Sequence, residues 1–368
     1  MRILFVNSIQ MFGGGEVWML RTLNALRKRG HEVFLLCRPN TELASRARAL
    51  NLSVFAFRFR GDFGPWTILR TWRLLKQLRI EIVLTNMDKE LRFAGLAARL
   101  LRNIVVLPRR GIDHPLKNRC YYRWTYNTLA DRLIANSQAT KESLLRNAPW
   151  LDPERIEVIY NGIDPAPYLT LRHLDLRREL HLPDDALLIG FVGQLDERKG
   201  LHDLLPAFAR VKSLQPNCHL ILVGVGPLVA TIKQFAHEHG LAGHIHLLGF
   251  RDDIDEIMKN LTLFTLPSLW EGFGIVLLEA MAAAKPVVTT AVSSMPEIVL
   301  DGITGRVVPV QDEAALTHAF LEILQDKQLA EQWGQKGRQR VLDHFTLDRM
   351  IDHYMALFDD QRAARRVR

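Results

Sequence analysis

Cysteine is scarce and scattered. The 368-residue chain has three, Cys37, Cys120 and Cys218. They are odd in number, far apart and in no metal-ligating spacing, which argues against a disulfide framework or a structural zinc and implies a reducing compartment. No window holds 18 apolar residues without charge, so no membrane-spanning helix is expected. The opening stretch Met1-Arg2-Ile3-Leu4-Phe5-Val6-Asn7 is too short for the apolar core of a signal peptide and reads as a first strand. A cytoplasmic location is the resulting expectation. Also missing are a short repeat, an H-E-x-x-H zinc motif, and the aromatic or helix-turn-helix signatures of nucleic-acid binding. His237 and His239 are too close in sequence to share one helical metal face.

What is present is the composition of a globular chain, 48% hydrophobic and 24% charged, of a length that suits two domains. Apolar strand-like runs alternate with helix-patterned segments, one of them over 93–101, from Arg2 to about Tyr160. A second alternation starts at Leu187, with helices expected over 201–214 and 313–325. This implies α/β architecture, with two doubly wound, Rossmann-like halves built on parallel sheets. Asn161-Gly162-Ile163-Asp164-Pro165 is a turn signal with no helix attached, so the expected boundaries are 1–165, 166–345 and a terminal segment 346–368. In that segment a helix over about 347–358 is followed by a loose basic tail.

One stretch organises the second half, Glu271-Gly272-Phe273-Gly274-Ile275-Val276-Leu277-Leu278-Glu279 and onward to Pro286. Gly272 and Gly274 permit a tight turn and close approach to a ligand. A helix is expected from about Ile275, apolar nearly all round and therefore buried, ending before Pro286. Glu279 would then be a buried carboxylate with no cation nearby in sequence, and ligand hydroxyls would serve it. Glu271 precedes the helix, where free backbone N–H groups gather. The pair suits a polyhydroxylated, negatively charged ligand. On spacing alone the plainer reading is a capping Glu271 and a Glu279 paired with a distant Arg.

Three loops add to this. Gly193-Gln194-Leu195-Asp196-Glu197-Arg198-Lys199-Gly200 joins a strand to a helix and sets two cations at a helix start, which suits a diphosphate. As bare sequence a surface charge cluster is the better reading. Phe12-Gly13-Gly14-Gly15-Glu16 follows the first strand but has Trp18 where a dinucleotide fingerprint needs its third glycine. Gly224-Val225-Gly226 lacks that glycine too, so neither supports a nicotinamide cofactor. Arg109-Arg110-Gly111-Ile112-Asp113-His114 follows a strand over about 104–107, at the sheet edge where α/β sites form. Asp253-Ile254-Asp255 has a metal-binding D-x-D form but opens a short helix, where acids are favoured; it reads as capping.

The run EGFGIVLLEAMAAAKPVV, the pattern G-x-L-x-x-x-K-G over 193–200, and the segments ADRLIANSQATKESL and IEVIYNGID resemble the retaining glycosyltransferases of the GT-B fold, the group 1 or family 4 class. The resemblance covers most of residues 1–345 and is weakest over 40–125. It implies two Rossmann-like domains facing a cleft, with the last helix packing back on the N-terminal domain. It also implies a nucleotide-sugar donor in the C-terminal domain, an acceptor in the N-terminal one, and no metal or other cofactor. By resemblance, Arg198 and Lys199 hold the donor diphosphate, with Gly193 opening their loop. Glu271, Phe273, Gly274 and Ile275 contact the donor sugar, and Glu279 holds the ribose. Gly14 and Gly15 lie near the diphosphate and acceptor. His114 is the candidate for a histidine that touches the donor sugar, with Arg109, Arg110 or Asp113 as alternatives. A sugar-nucleotide epimerase of similar build is the other enzyme reading.

The charge is uneven. Net charge is +8, yet residues 58–132 alone carry 16 Lys/Arg against 6 Asp/Glu, so the remainder is slightly acidic. Such asymmetry points to an anionic partner. Trp66, Trp72, Tyr121, Tyr122 and Trp124 are interleaved with Arg58, Arg60, Arg70, Arg73, Lys76, Arg79 and their neighbours, which suits a lipid headgroup boundary. Enzymes resembling this one often build envelope glycolipids or polysaccharides. A glycan or glycolipid acceptor and peripheral binding to an anionic membrane are therefore the expectations. The alternatives are a nucleic-acid partner for the basic half, or buried aromatics beside merely solvated cations.

Overall fold

The computed structural model describes residues 1–59, 61, 63–171 and 173–367, with the side chains of Arg366 and Val367 excepted. The chain forms two compact units. One comprises Met1–Asn161 and the chain from Leu347 onward; the other is Gly162–Thr346.

The first unit is built on β1 (Arg2–Asn7), β2 (Glu32–Cys37), β3 (Ser53–Ala56), β4 (Ile82–Thr85), β5 (Val105–Arg110), β6 (Leu133–Ala135) and β7 (Ile156–Val158), ordered β3-β2-β1-β4-β5-β6-β7. The pairs are parallel, with Ile3 beside Ile82 and Val33. Ile3, Leu4, Phe5 and Val6 are all inaccessible, as a strand covered on both faces must be. Strand order reverses direction between β1 and β4. That reversal leaves a crevice at the carboxyl ends of the strands.

The second unit repeats the plan with β8 (Leu187–Val192), β9 (Cys218–Val223), β10 (Ile245–Gly249), β11 (Leu263–Leu266), β12 (Val287–Thr290) and β13 (Gly305–Val308), ordered β10-β9-β8-β11-β12-β13. Its reversal lies between β8 and β11, and the loops leaving these two strands carry Arg198, Lys199 and Glu271. On β9 and β10, His219 Nδ1 lies 3.1 Å from His246 Nε2, with the His244 ring 4.8 Å from that of His219. Burial, then the nearby His244, His246 and Lys212, push the His219 imidazole down to about 4. Burial also lowers His244 and His246.

Three expectations need correction. A helix over 93–101 is instead Asp88–Arg99, beginning five residues earlier. The Glu90 carboxylate caps its start, accepting from Met87 N at 3.0 Å. β5 does not stop near 107 but continues through Arg109 and Arg110, which pair with Ile134 and Ala135 of β6. The terminal segment is one helix, Leu347–Val367, rather than a short helix and a loose tail. Acids of the first unit hold its basic end: Arg362 pairs with Glu81 and Arg365 with Asp131 at 3.4 Å. The final residue Arg368, like Arg60, lies outside the described residues.

Candidate functional site

In the second unit, β8 ends at Val192 and Gly193 donates its N–H to Val223 O at 3.0 Å. Asp196 caps the following turn, accepting from Arg198 N at 3.1 Å. It also pairs with the Arg198 guanidinium at 2.6 Å, leaving that side chain about half exposed. Gly200 is left-handed, φ +66°, and a Cβ there would lie 1.9 Å from Pro267 O. This close approach sets the Arg198–Lys199 turn against the loop that leaves β11. Leu269 N donates to Arg198 O at 2.8 Å, fastening the two further. The Lys199 ammonium consequently meets the Glu271 carboxylate, and both side chains are largely screened from solvent. The other Glu271 oxygen accepts from Gly272 N at 3.0 Å.

Beyond Glu271 the chain turns through buried Phe273, whose carbonyl accepts from Ser294 Oγ at 3.1 Å, and through left-handed Gly274, φ +77°. The helix Ile275–Ala282 starts there. Its Leu277, Leu278, Ala280, Met281 and Ala282 are buried, whereas Ile275, Val276 and Glu279 are only half-buried. These three share one stripe at helical spacing. Glu279 is thus not the fully buried carboxylate that an all-apolar helix suggested. The helix turns its single acid onto the partly open side, where hydroxyl groups can reach it.

At the carboxyl edge of the first unit, polar side chains are turned inward. The helix Gly14–Lys28 begins in the glycine loop. Buried Glu16 accepts from Gly13 N at 3.0 Å and from Asn7 Nδ2 at 2.9 Å, closing the loop onto β1. Glu90, inaccessible, accepts from Ser8 N, from Asn86 N at 2.7 Å and from Met87 N. It therefore ties the loop after β1 to the loop after β4. Burial pushes its carboxyl up to about 7, against the opposing pull of those N–H groups. Arg109 is 2% exposed. Its guanidinium stacks 3.6 Å over the Trp18 ring and donates to Asn86 Oδ1 at 3.2 Å and Asn161 Oδ1 at 2.9 Å. Burial lowers its pKa. Gly14 and Gly15 carry no left-handed φ, and a Cβ at Gly15 would come no closer than 3.6 Å to the Asn86 amide.

Two family models divide the chain between them. Glycosyltransferase Family 4 matches residues 12–167 and Glycosyl transferases group 1 matches residues 174–340. The second unit thus carries a group 1 glycosyltransferase domain and the first a family 4 glycosyltransferase domain. It is 28% identical to the N-acetyl-alpha-D-glucosaminyl L-malate synthase of Bacillus anthracis over 56% of its own length, and spans about half, 54%, of that relative. It is 26% identical to the lipopolysaccharide core biosynthesis glycosyltransferase LpsE of Rhizobium meliloti over 94% of this chain and 95% of that one. The solved structure of Anabaena Alr3699/HepE in complex with UDP superposes with a TM-score of 0.86 at 22% identity, covering 98% of this chain and 100% of that one. This likeness shows the GT-B fold of two Rossmann-like units.

The second unit brings Arg198, Lys199 and Glu271 together, and Phe273, Gly274 and Ile275 follow Glu271 after Gly272. His114 lies four residues beyond the end of β5, exposed, its N–H donating to Ile112 O at 3.0 Å. Arg110 is held by Asp88 at 2.8 Å and Arg109 is buried, so neither offers an open guanidinium. Asp253 occupies the position before the helix Ile254–Asn260, but its side chain makes no cap there. It takes Arg251 at 2.7 Å instead, which pulls its carboxyl below the usual range. Asp255 pairs with Lys259 at 3.6 Å. Sequence reasoning missed Asn7, Glu16, Asn86 and Glu90. A trace of Glu90 was there, as Asp88 and Glu90 in one first helical turn.

Proposed function

We propose that the protein transfers a sugar from a nucleoside diphosphate sugar to an acceptor hydroxyl, keeping the anomeric configuration and needing no metal. The observation carrying this reading is the meeting of Lys199 with Glu271 beside the half-open Glu279 stripe. In this reading Arg198 and Lys199 take the diphosphate, Glu271 the sugar and Glu279 the ribose. In the proposed reaction the bond from the anomeric carbon to the phosphate oxygen breaks and the acceptor oxygen takes its place. The departing phosphate oxygen receives the acceptor proton. Arg198 and Lys199 stabilise the charge growing on that phosphate, as fixed donors do where charge develops.

UDP is the proposed nucleotide, since HepE is described with UDP and with UDP-glucose. The likeness to LpsE supports an acceptor in envelope glycolipid or polysaccharide synthesis. The assignment is tested by thermal unfolding with UDP- and GDP-sugars. A bound donor at a hundred times its Kd stabilises by about 2.7 kcal/mol, and a tenfold loss of affinity in Glu279→Ala should cut the shift to roughly half. With the donor known, turnover in excess EDTA and the anomeric signal of the product test the metal and stereochemical claims. Stabilisation by no sugar nucleotide would remove the reading, and donor breakdown or isomerisation without acceptor would favour an epimerase.

A further inference from the structure

The basic half of the sequence is two populations. Arg92, Arg99, Arg109 and Arg110 are turned inward: Arg92 lies 5.1 Å from the Tyr122 ring, and Arg99 pairs with Asp131 at 3.3 Å. The helix Pro65–Gln77 is different. It contains no acid and packs inward through Thr67, Thr71, Leu74 and Leu75. Arg70, Arg73 and Lys76 are exposed. Among the described residues, none of the three has a carboxylate partner, and Lys76 rests 5.3 Å from the Trp72 ring.

Beside this charged stripe runs an apolar groove of about 340 Å³, lined by Pro65, Ile68, Leu69, Trp72 and Leu100. Its rim is exposed to an unusual degree, with Trp66 and Leu100 each 68% accessible. Phe63, 47% accessible, carries the apolar surface across to exposed Trp124, at a ring separation of 6.4 Å. Arg119 and Arg123 precede Trp124 in sequence and are also exposed. An apolar groove bordered by exposed cations and aromatic rings is mismatched to water and to acidic protein surfaces alike. It matches a layer that is anionic outside and hydrocarbon within. Among the described residues no helix is long and apolar enough to cross a membrane, so any membrane contact by a helix is made from the surface.

We propose that the Pro65–Gln77 helix and the groove beside it dock the protein on an anionic phospholipid bilayer. Arg70, Arg73 and Lys76 lie among the headgroups, and Trp66, Leu100 and Trp72 reach the acyl boundary. This rests on the surface of the first unit and not on the donor chemistry of the second.

The test is co-sedimentation of the full chain with vesicles of phosphatidylcholine, pure or with phosphatidylglycerol, at low and high salt. The expected result is binding to the anionic vesicles alone, weakened by salt, which shortens the screening length to about 3 Å at 1 M. Each cation near an anionic surface raises partitioning about fivefold, so Arg70→Gln/Arg73→Gln/Lys76→Gln should lower it roughly 100-fold. The three side chains are exposed, so the melting temperature should hold, and circular dichroism checks this. The wild type should show a fluorescence blue shift with anionic vesicles, and Trp66→Ala should weaken binding and reduce that shift. Equal, negligible binding to both vesicle types at low salt overturns the proposal. So does binding untouched by the triple substitution, or tighter binding to a duplex or single-stranded oligonucleotide than to anionic vesicles.

Discussion

The carboxyl edges of the two sheets solve opposite problems with the same topology. In the second unit, ionic side chains stand partly open on a backbone that permits no alternative. A Cβ at Gly200, Gly224 or Gly226 would lie within 1.8–2.2 Å of a carbonyl oxygen. In the first unit the backbone glycines 14 and 15 have room around them, while the polar side chains are buried and satisfy one another. The contrast teaches where selection for a ligand can be read. Glycine forced by packing says nothing about a ligand, whereas glycine that the fold does not require is free to report one.

The largest effect that sharpens this contrast is on folding. Gly224→Ala, at φ +139° with Gly193 O 1.8 Å from the new atom, should cost of order 4 kcal/mol or leave no folded protein. Gly14→Ala and Gly15→Ala should shift stability by less than about 1 kcal/mol, as unstrained substitutions do, and any large loss of activity in them is then a ligand effect. Equal melting curves for all three variants would break the distinction. Next in size, Lys199→Ala should reduce turnover about 10²- to 10³-fold, the scale for removing one donor aimed at developing charge. Unaltered turnover would assign Lys199 to the Glu271 ion pair alone. Glu279→Ala should weaken donor binding by about tenfold, as for one hydrogen bond to a charged group, with the helix intact because Ala favours it.

The smallest expected effect is on pH dependence, and the units should differ in sign. The folded His219 imidazole is held near 4, so the unfolded chain takes up protons first. Stability contributed by the neutral ring is full above about 6.5 and is lost as pH falls toward 4. Glu90 runs the other way. Its folded pKa is raised to about 7, so the folded chain holds the proton longer and stability falls as pH rises from about 4.5 to 7. Hydrogen exchange on β9 and on β1, followed between pH 7.5 and 5, should show weakening protection in the second unit, and the trend should flatten in His219→Asn. The Glu90 slope should disappear in Glu90→Gln. Parallel trends in both strands would deny the comparison.

Much of this was legible in the sequence because the signals were local. Strand-length apolar runs, glycine turns and the two-glutamate stretch each fix structure over a dozen residues, and the helices at 201–214 and 313–325 stand where their patterns put them. What could not be read depended on partners far along the chain. Arg109 looked like a loop cation until Trp18 and Asn161 enclosed it. The helix start at Asp88 left little trace because Met87, not Ser or Thr, precedes it. The terminal arginines looked loose because Glu81 and Asp131, more than two hundred residues earlier, supply their charges. In the candidate site the motif residues were legible, and the inward-facing shell around Asn86 and Glu90 was not.

The return of the last helix to the first unit has a consequence for synthesis. Tyr354, inaccessible, faces the Trp18 ring at 6.1 Å, so the core of the first unit stays unfinished until the ribosome has translated all of the second. Ile163 N meets Phe345 O at 2.9 Å, so the second unit enters and leaves at one place and can close on itself during that wait. Translation thus makes it a self-contained cassette, released first, while the earliest residues of the chain are among the last to be sealed.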